Sequence, residues 1–210
     1  MTVNYDSFQI DDLKILVKEF YALDSNIKKI YNDIKCKYKD INLVIVSPSI
    51  VFGLEHILSI IKIIREEIKR NKKREIKNLD IEFLLRICYT DQIAIAFQKL
   101  NYEKDINNYD NNIFVCILFS KNSSDIENAF KDLKRYDLHE NKSEDEKQKY
   151  YVRDRPLKQG SLIEITEQKK QYILKIFFKK ELKDINELLF IKDNLKFQKF
   201  LIERAAIALK

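Results

Sequence analysis

Hydrophobic residues recur at helical spacing over about residues 54–74, which predicts the longest regular element of the chain. One face of this helix carries Ile57, Ile60, Ile61, Ile64 and Ile68. The mainly apolar run at 41–46, and the run at 113–119 that is rich in β-branched and aromatic residues, are instead typical of buried strands. The pattern therefore predicts long amphipathic helices together with short buried strands.

Weaker patterns predict the remaining elements and the fold class. These elements are a strand at 2–10, helices that begin near 11–12, 25, 80, 90–91 and 123–124, strands at 162–166 and 172–178, and a final helix over 193–209. Residues 139–149 are polar and are predicted to form a loop, and we expect an inserted hairpin at about 136–172. Helices and strands mix without a strict strand–helix–strand repeat, so the predicted fold class is α/β. We expect a single domain over residues 1–210, with a small, mostly antiparallel sheet packed with helices.

Three of these helices are predicted from the apolar residues that one face would bury. They are Leu13, Leu16, Val17 and Phe20 in the helix near 11–12; Ile93, Ala94, Ala96, Phe97 and Leu100 in the helix near 90–91; and Ile126, Ala129, Phe130 and Leu133 in the helix near 123–124. The final helix has more apolar residues than one buried stripe requires, which leaves some of them for a partner.

Composition adds a basic charge to this picture. The formal net charge is +6, which favours an anionic partner such as RNA, although a basic protein without such a partner fits the number equally well. The first residues show no signal peptide, and no apolar run is long enough to span a bilayer. We therefore expect a cytoplasmic protein with no membrane association. Cys36, Cys88 and Cys116 are far apart, so no disulfide framework is expected.

The sequence contains none of the glycine-rich phosphate-binding motifs, and it has only two glycines and two histidines. No cysteine or histidine lies at zinc-ligand spacing from His56 or His139. We therefore expect no catalytic residues, no metal and no cofactor, and the predicted class is not an enzyme. A small enzyme that uses Cys88 or His56 stays open as a less favoured alternative.

Three segments carry a resemblance to a known family. They are Val44–Ile57, which ends an apolar run in Ser-Pro-Ser and leads through Gly53 into a helix; Asn78–Leu85 followed by Asp91–Phe97; and Phe200–Leu209. In this order they resemble the small accessory subunit of the KEOPS (EKC) complex, archaeal-type, also called the PRPK-binding protein family. The resemblance covers most of the chain and is weakest at residues 136–172.

The resemblance implies a non-catalytic subunit of the complex that makes threonylcarbamoyladenosine in tRNA. Such a subunit binds and activates the small atypical kinase/ATPase of the complex, and through it is linked to the threonylcarbamoyl-transferase subunit. It also recruits tRNA through the single-stranded CCA end. The candidate RNA contacts are Lys69, Arg70, Lys72, Lys73, Arg74, Arg86, His56 and Phe52, and the candidate kinase contacts are Leu201, Ile202, Ile207 and Leu209.

Each candidate also has a structural interpretation. A packed histidine that anchors the turn after Gly53 is the favoured interpretation of His56, and a core position is favoured for Phe52 and Tyr89, whose rings could otherwise stack unpaired bases. Arg86 is a polar position on an apolar helix and is expected to face solvent or a phosphate. The basic run at 69–74 also offsets the negative end of a helix dipole. A stand-alone RNA-binding protein without a kinase partner remains the main alternative function.

Overall fold

The computed structural model describes residues 6–21, 24–70, 78–101, 113–136, 167–178 and 193–208. In chain order the described elements are β1 (Asp6–Ile10), β2 (Leu13–Tyr21), α1 (Asp24–Lys37), β3 (Asn42–Val46), a short 3-10 helix (Pro48–Ile50), α2 (Gly53–Arg70), α3 (Leu79–Ile87), α4 (Ile93–Asn101), β4 (Ile113–Ser120), α5 (Ser123–Lys134), α6 (Glu167–Phe177) and α7 (Asn194–Ile207). They form two compact units, Met1–Val46 with Asn108–Lys158 and Ser47–Asn107 with Gln159–Lys210. The prediction of a single domain stays a prediction.

The first unit is built on an antiparallel sheet of the four described strands. Their order is β1-β2-β4-β3, and each neighbouring pair is antiparallel, as expected for an α/β fold with a mostly antiparallel sheet. Helices α1 and α5 cover one face of the sheet, because apolar side chains from both helices and three strands form one core. This core consists of Leu16, Ile30, Ile34, Ile41, Leu43, Cys116, Leu118, Ile126, Ala129, Phe130 and Leu133. The predicted buried face of α5 is therefore confirmed.

The helix predicted near residues 11–12 is wrong, because these residues form the turn of a β-hairpin. Ile10 pairs with Leu13, so Asp11 and Asp12 make a two-residue connection, in which Asp11 takes the left-handed conformation (φ 52°). The following strand β2 pairs with β1 on one side and β4 on the other. Ile15, Leu16 and Val17 are all buried, so both faces of β2 are apolar and its sequence lacks the usual alternation. An apolar run of this kind matches helical spacing by chance.

The second unit is helical in its described residues. Helix α2 packs against α3 and α7, and Ile57, Ile60, Ile61 and Ile64 on its predicted face are buried while Ile68 is half-buried. Helices α2 and α7 run in the same direction. Phe52 at the start of α2 touches Phe197 at the start of α7, and both Glu67 and Ala205 near their ends bind one arginine. The carboxyl ends of the two helices therefore lie on the same side of the unit.

The predicted strand at 172–178 is also wrong, since Glu167–Phe177 is the helix α6. Ile173, Leu174 and Phe177 are buried at positions i, i+1 and i+4, which is one face of a helix. Their aromatic and β-branched side chains suggested a strand. The second strand of the expected inserted hairpin is thus absent from this stretch, whereas the strand at 162–166 and the loop at 139–149 lie outside the described residues.

Helix α4 begins near its predicted position but turns its apolar residues outward. Ile93 and Phe97 are each 49% exposed and Ala94 is exposed, so the predicted buried face is wrong for these three residues. Ala96 is buried as predicted. The helix therefore contacts α3 through a narrower stripe than its composition suggests.

Candidate functional site around His56 and Arg86

The turn that opens α2 is set by Gly53. Ser47 caps the short 3-10 helix by accepting a hydrogen bond from the Ser49 amide at 3.1 Å, and Pro48 occupies its first turn. Gly53 then has φ 80°, in the left-handed region that side chains other than glycine adopt at a cost. A Cβ atom here would lie 3.5 Å from Gln198 Nε2, which is ordinary contact. The backbone angle, rather than a lack of space, therefore requires glycine at this position.

His56 lies one turn into α2 and is completely buried. Its Nδ1 accepts a hydrogen bond from the Phe52 amide at 3.2 Å, and its Nε2 lies 3.1 Å from the Tyr89 hydroxyl. Because Nδ1 accepts, the neutral ring carries its hydrogen on Nε2 and donates it to Tyr89. Burial, and then the nearby charge of Lys169, lower the pKa of His56 to about 3. The packed interpretation of His56 is confirmed, and its listing as an RNA contact is wrong because no part of the ring reaches the surface.

Phe52 is buried in the same way and is not available to stack a nucleobase. Its ring meets the Phe197 ring edge-on with 5.0 Å between centroids, and its carbonyl accepts a hydrogen bond from Gln198 Nε2 at 3.1 Å. The buried Lys169 donates to the carbonyl of Val51, the preceding residue. The core interpretation is confirmed, and Phe52 is removed from the candidate RNA contacts.

Tyr89 ends α3 in a conformation that is usually reserved for glycine. Its φ is 50°, and the Thr90 amide donates to the Leu85 carbonyl at 3.1 Å, which is the long hydrogen bond of a Schellman motif. The ring contacts Phe178 and Phe177 of the α6 segment, with centroids 4.9 and 5.4 Å away. Burial raises the pKa of the Tyr89 hydroxyl well above its ordinary value. The ring contacts and the bond to His56 thus offset a strained backbone of roughly 1–2 kcal/mol.

Arg86 is fully buried, so the expectation that it faces solvent or a phosphate is wrong. Its Nε and Nη2 donate to Glu82 Oε1 at 3.2 and 2.9 Å, and Nη2 also donates to Glu67 Oε2 at 2.5 Å. Its Nη1 donates to the carbonyls of Ala205 and Ala206 at 2.8 and 3.4 Å. All five N–H donors of the guanidinium therefore have acceptors, which is the condition under which a buried charge is tolerated.

The exposed cations at the end of α2 remain accessible. Lys69 and Arg70 are exposed, and Lys69 forms a 3.1 Å ion pair with Glu66 one turn earlier. The other basic candidates of this run, Lys72, Lys73 and Arg74, lie outside the described residues. Of the described RNA candidates, only these two cations stay on the surface.

Helix α7 divides its candidate residues between core and surface. Leu201 is completely buried together with Phe197 and Ala205, so its assignment as a kinase contact is wrong. Ile202 is half-buried and Ile207 is 49% exposed. Leu209 lies outside the described residues. The accessible apolar surface of α7 therefore lies at its two ends, at Leu195 in the first turn and at Ile207 in the last.

Cysteine and carboxylate groups in the described parts of the chain do not assemble into a metal site. No group of three or more His, Cys, Asp or Glu side chains comes together there. Cys88 is buried and its thiol points at the Ala96 carbonyl, 3.8 Å away, while both nitrogens of His56 are already bonded. His56 thus has no nitrogen left to act as a base for Cys88. The buried carboxylate of Glu82 is paired with Arg86.

Comparisons with known proteins add no family to this description. No protein-family model matches the sequence, and no curated protein matches it. Within the described residues, no helix has both the length and the apolar character needed to cross a bilayer.

In the helical unit, the stretch between the two halves of the second KEOPS-like segment bonds to both the first and the third segments. His56 of the first segment bonds to Tyr89, which lies between the two halves of the second segment. Arg86, which also lies between these two halves, bonds to Glu82 of the second segment and to the Ala205 and Ala206 carbonyls of the third. The first and third segments are more than a hundred residues apart in the sequence, yet both bond to side chains at the end of α3.

Proposed function

We propose that this protein is a non-catalytic accessory subunit of a KEOPS complex, which binds the kinase/ATPase of that complex and recruits tRNA for threonylcarbamoyladenosine synthesis. The observation that carries the proposal is that the first and third family-like segments both bond to the short stretch between the two halves of the second, His56 to Tyr89 and Ala205 to Arg86. Segments that resemble a family for unrelated reasons would have no cause to bond to the same stretch at the end of α3. Their contacts supply a physical reason for the three to occur together.

The kinase partner is supported by the surface of α7. Its Phe197, Leu201 and Ala205 are buried at a spacing of four residues, which is the single stripe that packing within the unit requires. Ile207 remains 49% exposed and Ile202 is half-buried. Apolar side chains left over from the core, beside polar neighbours such as Glu203, fit the composition of a protein interface.

The tRNA partner is supported by charge. The chain carries a formal net charge of +6, and the exposed Lys69 and Arg70 stand at the end of α2. Cations on a surface attract the phosphates of any nucleic acid, so this feature supports RNA binding without selecting a sequence. Preference for the CCA end rests on the resemblance.

Co-purification tests the proposal directly. The chain would be expressed with the kinase, transferase and remaining KEOPS subunits of the same organism, and the isolated complex would be assayed for tRNA binding and ATP turnover. We expect the chain to join the complex through the kinase and to raise its tRNA-dependent ATP turnover, while the chain alone turns over no ATP. Failure to bind the kinase, or ATP turnover by the chain alone, would contradict the proposal.

The stand-alone RNA-binding protein is the second candidate, and the exposed cations of α2 support it independently of the resemblance. It predicts tRNA binding of equal strength with and without the kinase. The Cys/His enzyme is less supported, since His56 uses both ring nitrogens in bonds to Phe52 and Tyr89.

A further inference from the structure

Helix α7 has no glycine at its C-terminal cap. Many helices end with a glycine in the left-handed conformation, which allows the last carbonyls to be bonded by the following amides. The helical residues of α7 end at Ile207, and its C-cap Ala208 keeps right-handed helical angles (φ −58°, ψ −23°). The last four carbonyls of a helix have no amide partner within it, and those of Ala205 and Ala206 belong to this group.

Arg86 of α3 provides donors for these two carbonyls. Its Nη1 donates to the Ala205 oxygen at 2.8 Å and to the Ala206 oxygen at 3.4 Å. A positive charge at this end of a helix is also favoured by the helix dipole. One guanidinium nitrogen of another helix therefore bonds the last carbonyls of α7, which the residues after a helix usually bond.

The orientation of the guanidinium is fixed from its other side. Glu82, one turn earlier on α3, accepts from Nε and Nη2, and Glu67 of α2 accepts from Nη2 at 2.5 Å. Glu82 is buried and Glu67 is 23% exposed at its side chain, so both carboxylates hold the fork in a site that water reaches poorly. With Nε and Nη2 committed, Nη1 can only point at α7.

We propose that Arg86 is the C-terminal cap of α7 and, resting on the proposed function, that it is the positioning residue that presents the last turn of α7 to the kinase. Ile207 is in this turn and is 49% exposed. A turn that is ordered before binding loses less conformational entropy when a partner covers it. Arg86 thus acts on the interface through the helix end, without contacting the partner.

Arg86→Lys tests the cap, because lysine keeps the charge but has three donors on one nitrogen in place of a planar fork of five. Amide hydrogen exchange would be measured on the whole chain for residues 204–208 and for β4. We expect roughly tenfold or faster exchange in the last turn of α7, the size associated with losing a hydrogen bond to a charged group, with exchange in β4 unchanged. We also expect weaker retention by immobilised kinase subunit.

Two further variants keep the test decisive if Arg86→Lys fails to fold. Glu67→Gln removes the charge that orients Nη2, and its neighbour Glu66→Gln is the matched control, because Glu66 is exposed and pairs with Lys69. We expect faster amide exchange at residues 204–208 in Glu67→Gln and wild-type exchange in Glu66→Gln. In the Glu67→Gln background, Leu209→Gly offers the helix a glycine one residue after its C-cap and should slow the exchange again.

The outcomes separate the cap from the proposed function. Unchanged exchange at 204–208 in both Arg86→Lys and Glu67→Gln would overturn the cap, and so would failure of Leu209→Gly to restore slow exchange. Fast exchange with undiminished kinase retention would overturn the positioning role. A wild-type chain that binds no kinase would overturn the proposed function and the positioning role with it, while the exchange measurement would still decide the cap.

Discussion

At the scale of single residues, buried polar side chains stabilise turns and helix ends in this protein, a role that glycine and loop backbone have in most others. The chain has two glycines, of which Gly53 opens α2 with φ 80°. Tyr89 takes the left-handed position after α3, and Arg86 satisfies the carbonyls at the end of α7. His56 links the first two of these turns through its two ring nitrogens. A side chain in a role that glycine usually has needs a bonding partner at a fixed position, so mutation of either residue is expected to destabilise the turn.

His56 makes the stability of the protein depend on pH. Its pKa is about 3 in the folded protein and about 6.5 in an unfolded chain, so below pH 6.5 the unfolded chain takes up a proton that the folded protein does not. Its stabilising contribution is therefore complete above pH 6.5 and is lost as the pH falls toward 3. Between pH 7 and pH 5 this loss amounts to about 2 kcal/mol of unfolding free energy.

Urea unfolding of wild type and His56→Gln at pH 7 and pH 5 checks this expectation. The variant should have a smaller difference between the two pH values, because glutamine does not titrate. The matched control is His139→Gln, which removes the other histidine and should leave the wild-type difference in place. An identical pH difference in wild type and His56→Gln would show that His56 is not the group responsible.

Tyr89→Phe should destabilise the protein by about 1–2 kcal/mol, because it keeps the ring contacts but leaves the buried Nε2–H of His56 without an acceptor. Thermal or urea unfolding measures the loss. Tyr136→Phe is the control, since the Tyr136 hydroxyl donates to Asp33 at an exposed position, and it should cost less. Equal losses in the two variants would mean that the buried bond to His56 has no special weight.

At the scale of elements, α7 and α4 both have apolar residues on more than one side, yet they pack differently. Helix α7 buries one stripe and keeps Ile207 at the surface, whereas α4 exposes Ile93 and Phe97. Neither division can be read from the spacing alone, because both helices have apolar residues on more than one side. Which side is buried was decided by the neighbouring helices α2 and α3.

Two arginine substitutions in α7 separate core from surface. Leu201→Arg should prevent folding or cost several kcal/mol, since Leu201 is completely buried and the new charge would have no partner. Ile207→Arg should leave the thermal midpoint of the isolated chain near that of wild type and abolish co-purification with the kinase. A folded Ile207→Arg variant that still binds the kinase would place the interface on another element, such as the exposed face of α4.

At the scale of the whole molecule, the basic charge predicts how tRNA binding responds to salt. The logarithm of the affinity should fall linearly with the logarithm of the salt concentration, by about 0.7 per phosphate contact on a single strand. Lys69→Ala and Arg70→Ala should each lower this slope by roughly that amount, whereas Lys28→Ala and Lys29→Ala, which remove exposed cations of α1, should not. Equal slopes in all four variants would exclude the end of α2 as the RNA contact.

Trimming the CCA end tests whether tRNA is held by more than its phosphates. If the unpaired end is recognised, trimmed tRNA should bind more weakly than intact tRNA at the same salt concentration. Filter binding or electrophoretic mobility shift measures the difference. Equal affinities would favour a general RNA-binding protein.

The sequence by itself determined the elements whose periodicity has one interpretation, and the tertiary structure decided the rest. The long helix α2, the buried face of α5 and the strands β3 and β4 follow from local spacing, because each buries one face or lies within a short apolar run. Strand β2 was predicted as a helix, because burial on both faces of a strand removes the alternation of apolar and polar residues. Part of helix α6 was predicted as a strand, because its aromatic residues are typical of strands. The burial of Arg86 could not be predicted, because its acceptors on α2, α3 and α7 are up to 120 positions away in the sequence and only the fold brings them together.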